Sequence, residues 1–322
     1  MKLFPLHLIP NDTRIDFMRM RWVSIAIAAL LMVAAIAAIG LKGFNFALDF
    51  TGGTLVELEF KQTPNIDTVR SNLDKAGFGN ATVQTYGAGN KLLVRTESDA
   101  SVKDADEASS LTAQRVLQAV NQPANPAKVG RSTFLNPQVG NDLAKNAAMA
   151  LAFVVIGFLG YIAFRFEWKF AVAAIVATMH DVLICAGFFA ATGREFDLTV
   201  LAGLLSVMGY SINDTIVVFD RVRENFRSMR ADPGTVLNAS INQTLSRTII
   251  TSFVAFLTVL ALYIYGGGSL EGMALAQMIG IVIGTLSSIF IACALLTIGP
   301  LKVTRQDLLP KSRDNEALNR RP

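Results

Sequence analysis

The 322-residue chain is 52% hydrophobic and only 17% charged, with a formal net charge of +4. So little polar surface cannot cover a water-soluble core of that size, which excludes an ordinary soluble globule and points to a bilayer protein. The small positive excess is accounted for by basic residues clustered at helix ends, so no nucleic-acid partner is needed to explain it.

In chain order, residues 1–21 read as a polar tail carrying Arg14, Arg19 and Arg21. Residues 22–41 form an apolar run of roughly 20 residues, enough to cross a hydrocarbon core of about 30 Å. A secretory signal has an apolar region of only about 7–15 residues before a small-residue cleavage site. This run is longer and continues into LKGFNFALDF, so it reads as a retained first span. Residues 42–143 follow as an external α+β domain.

At the entrance to that domain stands DFTGG, Asp49 to Gly53. Gly52 and Gly53 suit a tight bend or a close backbone approach, and Asp49 can bond to nearby backbone amides. The P-loop lysine and its following helix are missing, which leaves a phosphate-binding reading weak. Beyond it, TLVELEF alternates as a half-buried strand does, and IDTVRSNLDKAGF has helical spacing that ends at Gly77. ATVQTYG and KLLVRTE, joined by AGN, read as a hairpin. The helix DADEASSLTAQRVLQAV and the strand KVGRSTFL complete a β-α-β-β-α-β order, the split pattern of ferredoxin-like domains. Fold alone assigns no activity, and the domain holds no catalytic constellation.

Five further spans are expected at about residues 144–164, 170–192, 198–219, 249–265 and 273–298, within a membrane region of 144–298. Residues 220–248 are expected to be a cytoplasmic loop and 299–322 a cytoplasmic tail. Basic residues near helix ends set orientation. Arg165, Lys169, Arg221, Arg223, Arg227, Arg230, Lys302 and Arg305 fall on the same side as the amino-terminal arginines, whereas GREFD carries one Arg and YGGGSLEG none. Both termini are therefore expected to be cytoplasmic, with Asn225 and its RVREN neighbours as a solvated helix end. Cys185 and Cys293 both fall inside spans, which gives neither a disulfide framework nor a metal-ligand spacing.

One helix, an external β-α-β-β-α-β domain and five more helices, with ALDFTGGTLVELEF after the first and GYSINDTIVVFDRVREN in the fourth, resemble the SecD/SecF family of the resistance-nodulation-division superfamily. RFEWKF, HDV and SRTIITS also match segments of its SecF branch. One departure is Asn136 in FLNPQVG, where the family usually has Gly before Pro, which questions the local turn into the second span. The resemblance implies a multi-pass protein of the bacterial inner membrane, with the external domain in the periplasm. It also implies partnership with SecD, which would complete a pseudo-symmetric bundle of twelve helices and whose larger domain would move with this one. YajC and the SecYEG channel are further partners it implies. The activity implied is use of the proton-motive force to help an unfolded polypeptide across the membrane; no cofactor is implied.

Asp214, inside the fourth span, is the central candidate. An ionised Asp near the middle of a spanning helix costs about 2.5–3.5 kcal/mol on insertion scales, so it must face a bundle interior and find a partner or take up a proton. Proton coupling, which the resemblance favours, competes with a structural Asp tied to hydroxyls such as those of Tyr210 and Ser211. Helix geometry supplies relay or support candidates for the rest of a proton path, Tyr210 and Asn213 here and Thr251 in the fifth span: Asp214, Tyr210, Val207 and Gly203 share a face at three- and four-residue spacing, and Ser206, Tyr210 and Asn213 form an overlapping stripe. In the fifth span Arg247, Thr251 and Thr258 line one face. Arg247 either snorkels toward head groups or, as the resemblance implies, pairs with Asp214.

His180 and Asp181 in the third span are adjacent and so about 100° apart around the helix. Imidazole chemistry makes a relay plausible; structural hydrogen bonding is the alternative. Gly280, Gly284 and Ser288 form a small-residue stripe in the sixth span, read as a packing surface. Three readings compete: a proton-driven secretion accessory, a proton-driven exporter of the same superfamily, and a structural assembly subunit. No nucleophile with a base, metal cage or nucleotide loop supports an enzyme.

Overall fold

A computed structural model describes residues 13–79, 81–86, 89–96 and 105–308. Its elements run α1 (Arg21–Lys42), β1 (Asn45–Phe46), α2 (Leu48–Thr51), β2 (Gly53–Phe60), α3 (Ile66–Lys75), β3 (Thr82–Tyr86), β4 (Lys91–Thr96), α4 (Ala105–Val120) and β5 (Ala127–Leu135). They continue as α5 (Pro137–Arg165), α6 (Trp168–Thr192), β6 (Glu195–Phe196), α7 (Leu198–Ser228), α8 (Pro233–Tyr265) and α9 (Gly268–Ser287), then a π-helical turn (Ser288–Ala292), α10 (Cys293–Leu295) and α11 (Arg305–Leu308). Six helical stretches among the described residues are long and apolar enough to cross a membrane. The chain is a multi-pass membrane protein.

Two compact units divide the chain. One contains residues 44–153 and 194–201. In it β3-β4-β2-β5 form a four-stranded antiparallel sheet, the strand order that a split β-α-β unit produces. The alternating pattern of β2 and β4 turns Val56, Leu58, Leu92 and Val94 inward, where they bury Val69 and Leu73 of α3 and Val116 and Val120 of α4. α3 starts where the Asn65 side chain accepts from the backbone N–H groups of Asp67 and Thr68, an N-cap that satisfies amides with no helical partner. Asn136 does the same for α5, its Oδ1 accepting from Gln138 N at 2.9 Å with Pro137 in the first turn. The departure from Gly at this position is thus a capping residue.

The same unit contains the DFTGG turn. Gly52 and Gly53 both have positive φ, and a side chain at Gly53 would place its Cβ 2.6 Å from the Thr96 carbonyl oxygen. Only glycine fits there without displacing β4. Asp49 Oδ2 accepts the Leu198 backbone N–H at 3.2 Å, in the first turn of α7, and β1 pairs in parallel with β6.

Among the described residues, the other unit holds 13–43, 154–193 and 202–308. Half or more of the membrane windows of α6, α7 and α9 is buried, against no more than about a tenth in α1, α5 and α8. Phe170, Phe219, Leu237, Ile241 and Leu296 are among its fully buried side chains. α1 lies close on α6 because Gly187 faces Ala35; a Cβ at Gly187 would stand 2.4 Å from that of Ala35.

The segment 220–248, expected as a loop, is helical except at Met229–Asp232. Hydropathy registers only the apolar part of a helix, whereas RVRENFRS is rich in good helix formers and extends α7 past the apolar window. Asp232 caps the next helix, accepting from Thr235 N at 2.9 Å, with Pro233 at its first position. Asn225 is also not solvated: it is buried, and its Nδ2 donates to Ser240 Oγ at 2.9 Å and Gln243 Oε1 at 3.0 Å. A polar residue with two partners across a helical hairpin is a packing element, which its composition alone does not reveal.

Candidate functional site

α7 and α9 approach each other along a ladder of small residues. A Cβ at Gly203 would lie 3.0 Å from that of Ala276, one at Gly280 would lie 2.0 Å from Val207 Cγ2, and one at Gly284 would lie 3.3 Å from Ser211 Cβ. The numbers rise together on both helices, so the helices run parallel with each rung about one turn from the last. The next rung is polar. Ser288 Oγ donates to Asp214 Oδ2 at 2.6 Å.

Asp214 is 5% exposed, and its second oxygen, Oδ1, accepts from Thr248 Oγ1 of α8 at 3.1 Å. Two hydroxyls from two other helices thus hold the carboxylate. Around it runs a second group of hydroxyls. Tyr210 OH donates to Ser252 Oγ at 2.6 Å, Thr285 Oγ1 reaches the same atom at 2.7 Å, and Ser252 Oγ donates to the Thr248 carbonyl at 2.7 Å. Tyr210 therefore gives its hydroxyl to α8 and makes no hydrogen bond to Asp214 among the described residues.

His180 and Asp181 bond to each other, Nδ1 to Oδ1 at 2.9 Å, and Ser211 Oγ donates to Asp181 Oδ2 at 2.5 Å. Asp181 is fully buried and His180 nearly so, with no partner at His180 Nε2 among the described residues. Gly284 adjoins this contact: a Cβ there would press on Ser211 Cβ at 3.3 Å and meet Asp181 Oδ2 at an ordinary 3.7 Å. A second buried carboxylate thus lies against the α7–α9 ladder one turn from Asp214.

Arg247 does not pair with Asp214. It is exposed, makes no ion pair among the described residues, and acts on the carboxylate only through space. The reason is angular: Thr248, the next residue, points into the bundle, which turns Arg247 about 100° away. Thr251 shares the exposed face and gives its hydroxyl to the Arg247 carbonyl at 2.9 Å. Asn213 is also exposed, on the α7 stripe with Ser206. Sequence reasoning missed Thr248 and Ser288 as partners of Asp214. The signal for Ser288 was its place in the Gly280–Gly284 stripe, read as packing alone.

Residues 115–299 match the family described as Protein export membrane protein SecD/SecF, C-terminal, and residues 37–64 match the SecD/SecF GG motif. The chain belongs to the SecD/SecF family. Among relatives of the SecD/SecF family, it is 41% identical to the protein translocase subunit SecF of Escherichia coli O157:H7, over 94% of this chain and 92% of that one. It is 43% identical to the same-named subunit of Pseudomonas aeruginosa, over 92% of this chain and 94% of the other. Its fold matches the crystal structure of SecDF, a translocon-associated membrane protein from Thermus thermophilus, with a TM-score of 0.79 and 38% identity, over 91% of this chain. The match to SecDF in its super-membrane-facing form has a TM-score of 0.64. This chain spans 39% of the length of those SecDF chains, about two fifths.

Proposed function

We propose that this chain is the SecF-type half of a two-part accessory to protein translocation, and that Asp214 couples its work to the proton-motive force. The observation that carries the reading is a buried carboxylate within a spanning helix, held by two hydroxyls and with no cation in contact among the described residues. A carboxylate so placed is far cheaper to keep when it can take up a proton, and neutral hydroxyls serve either charge state.

The exposed face supports a second half in the complex. Ser206 and Asn213 on α7, with Arg247 and Thr251 on α8, are exposed within or beside the spanning windows. Polar side chains facing lipid are costly, so a partner's helices cover them. SecD is that partner, and its helices turn Arg247 toward a shared polar centre. The similarity to subunits named SecF and to a SecDF structure supports this assignment. The complex acts at the SecYEG channel, with YajC, on unfolded polypeptide emerging into the periplasm. The protein lies in the bacterial inner membrane with both termini cytoplasmic, an orientation supported by the one-sided distribution of arginines.

The test is Asp214→Asn, which retains size and most hydrogen bonding but removes the titrating proton. The variant should assemble with SecD yet lose proton-driven stimulation of secretion in inverted vesicles, leaving ATP-driven entry intact. Normal proton-driven stimulation in that complex would overturn the coupling role.

A further inference from the structure

Ser288 has one hydroxyl hydrogen and two acceptors. Its Oγ stands 2.6 Å from Asp214 Oδ2 and 3.0 Å from the Thr285 carbonyl oxygen of its own helix. Both directions are open to it, and only one is used at a time. Thr248 is different: its hydroxyl has Asp214 Oδ1 as its sole acceptor among the described residues. Ser288 is fully buried and is the first residue of the π-helical turn Ser288–Ala292. Such single turns interrupt the regular ladder and recur at functional sites.

We infer that Ser288 is a positioning residue that reads the charge on Asp214 and passes it to the last membrane helix. The inference rests on Asp214 being the titrating group. When Asp214 is ionised, the Ser288 hydroxyl donates to Oδ2 and ties α9 to α7. When a proton arrives on Oδ2, that oxygen becomes the donor. Ser288 Oγ then accepts from it and turns its own hydrogen to the Thr285 carbonyl. No covalent bond changes at Ser288; the proton stays on the carboxyl and the serine hydrogen rotates. The Thr285 carbonyl already accepts the Ser288 backbone N–H, so the second bond tightens the turn at the head of the π segment. Thr285 Oγ1 in turn lies 2.7 Å from Ser252 Oγ of α8 and 2.6 Å from the Ile281 carbonyl, so a third helix borders the turn.

The charged and titratable groups around Asp214 are few. α8 brings Arg247, exposed and acting through space; α6 brings His180 and Asp181, engaged with each other and with Ser211; α7 brings Tyr210, bonded to Ser252. α9 contributes hydroxyls here and no charge. Ser288, at the junction of α9 and the π-helical turn, is therefore the group whose bonding changes with the charge of Asp214.

The test is an infrared pH titration of the protonated-carboxyl stretch in the SecD-bound complex, reconstituted in nanodiscs. Asp214→Asn should remove a band that titrates in the wild type. Ser288→Ala removes a donor from the ionised state, so the midpoint of that band should move to higher pH by about one unit. Ser288→Cys, a small residue with a weaker donor, should move it less. Ser287→Ala removes a hydroxyl that has no partner among the described residues, and should leave the midpoint in place. If Asp214→Asn removes the band while Ser288→Ala leaves the midpoint unmoved, the role of Ser288 is refuted. If the band survives Asp214→Asn, the underlying reading of Asp214 fails instead.

Discussion

Gly280 of α9 stands where any side chain would run into Val207 of α7: its Cβ would lie 2.0 Å from Val207 Cγ2, 2.5 Å from Cγ1 and 2.8 Å from Cβ. With three atoms of one stiff, β-branched residue in the way, no rotamer change relieves the clash, so the helices must part. Two turns along, parting the helices lengthens the Ser288–Asp214 contact. Gly280→Ala should therefore destabilise the protein by about 1–3 kcal/mol, as overpacking does. Val207→Ala in the same chain should restore most of the loss. Thermal unfolding of the single and double variants in detergent measures the coupling, and simple additivity of the two would count against this packing.

Glu195 supplies a pH dependence outside the membrane spans. Burial holds its carboxyl above its ordinary value of 4.5; Arg95, whose Nη1 stands 3.8 Å away, opposes the shift, and Asp197 and Asp49 reinforce it. A carboxyl with a raised folded-state value binds its proton more tightly when folded. Its stabilising contribution is full below 4.5 and is lost as pH rises through the folded value. Glu195→Gln mimics the protonated form. Hydrogen exchange at Phe196–Val200 should match the wild type at pH 4 and become slower than the wild type at pH 7. The opposite order at pH 7 would mean that the Arg95 ion pair outweighs burial.

The six spans were legible because a bilayer demands long apolar runs, and the sheet because β2 and β4 alternate so regularly. The helical extensions of α7 and α8 were not, since hydropathy is blind to a helix once it leaves the apolar window. Asp214 declared itself as a charge in an apolar run, but its partners did not. Thr and Ser are ordinary in such helices, and which of them reaches a carboxylate depends on how closely two helices pack. That closeness was written in Gly203, Gly280 and Gly284, whose meaning appears only when the two stripes are set side by side. Arg247 lies turned away from Asp214 within this chain for the complementary reason: a match between segments identifies a residue type, whereas the facing direction follows from the helix phase set by Thr248.

That phase turns Arg247 and Thr251 outward, onto a surface chemically different from that of α1. The exposed face of α1 carries Trp22, Val23, Ile27, Leu30 and Val33, all suited to lipid. The exposed faces of α7 and α8 carry the polar Ser206, Asn213, Arg247 and Thr251, alongside apolar α8 residues such as Phe253 and Val254. An Arg at the centre of a spanning helix costs about 2.5–3.5 kcal/mol, and a lipid-facing Arg nearer the end must spend its side chain reaching for head groups. A protein partner removes both demands. A photo-reactive amino acid at Asn213 or Thr251 should therefore cross-link to SecD in intact membranes, while one at Ile27 should give only lipid adducts. Arg247→Met should weaken proton-driven secretion without abolishing the cross-link at Asn213, because a charge that completes a shared centre is separable from the surface that docks it. Cross-linking from Ile27 in place of Asn213 would put the interface on the other side of the bundle, and Arg247 would then be a snorkelling residue with no part in the site.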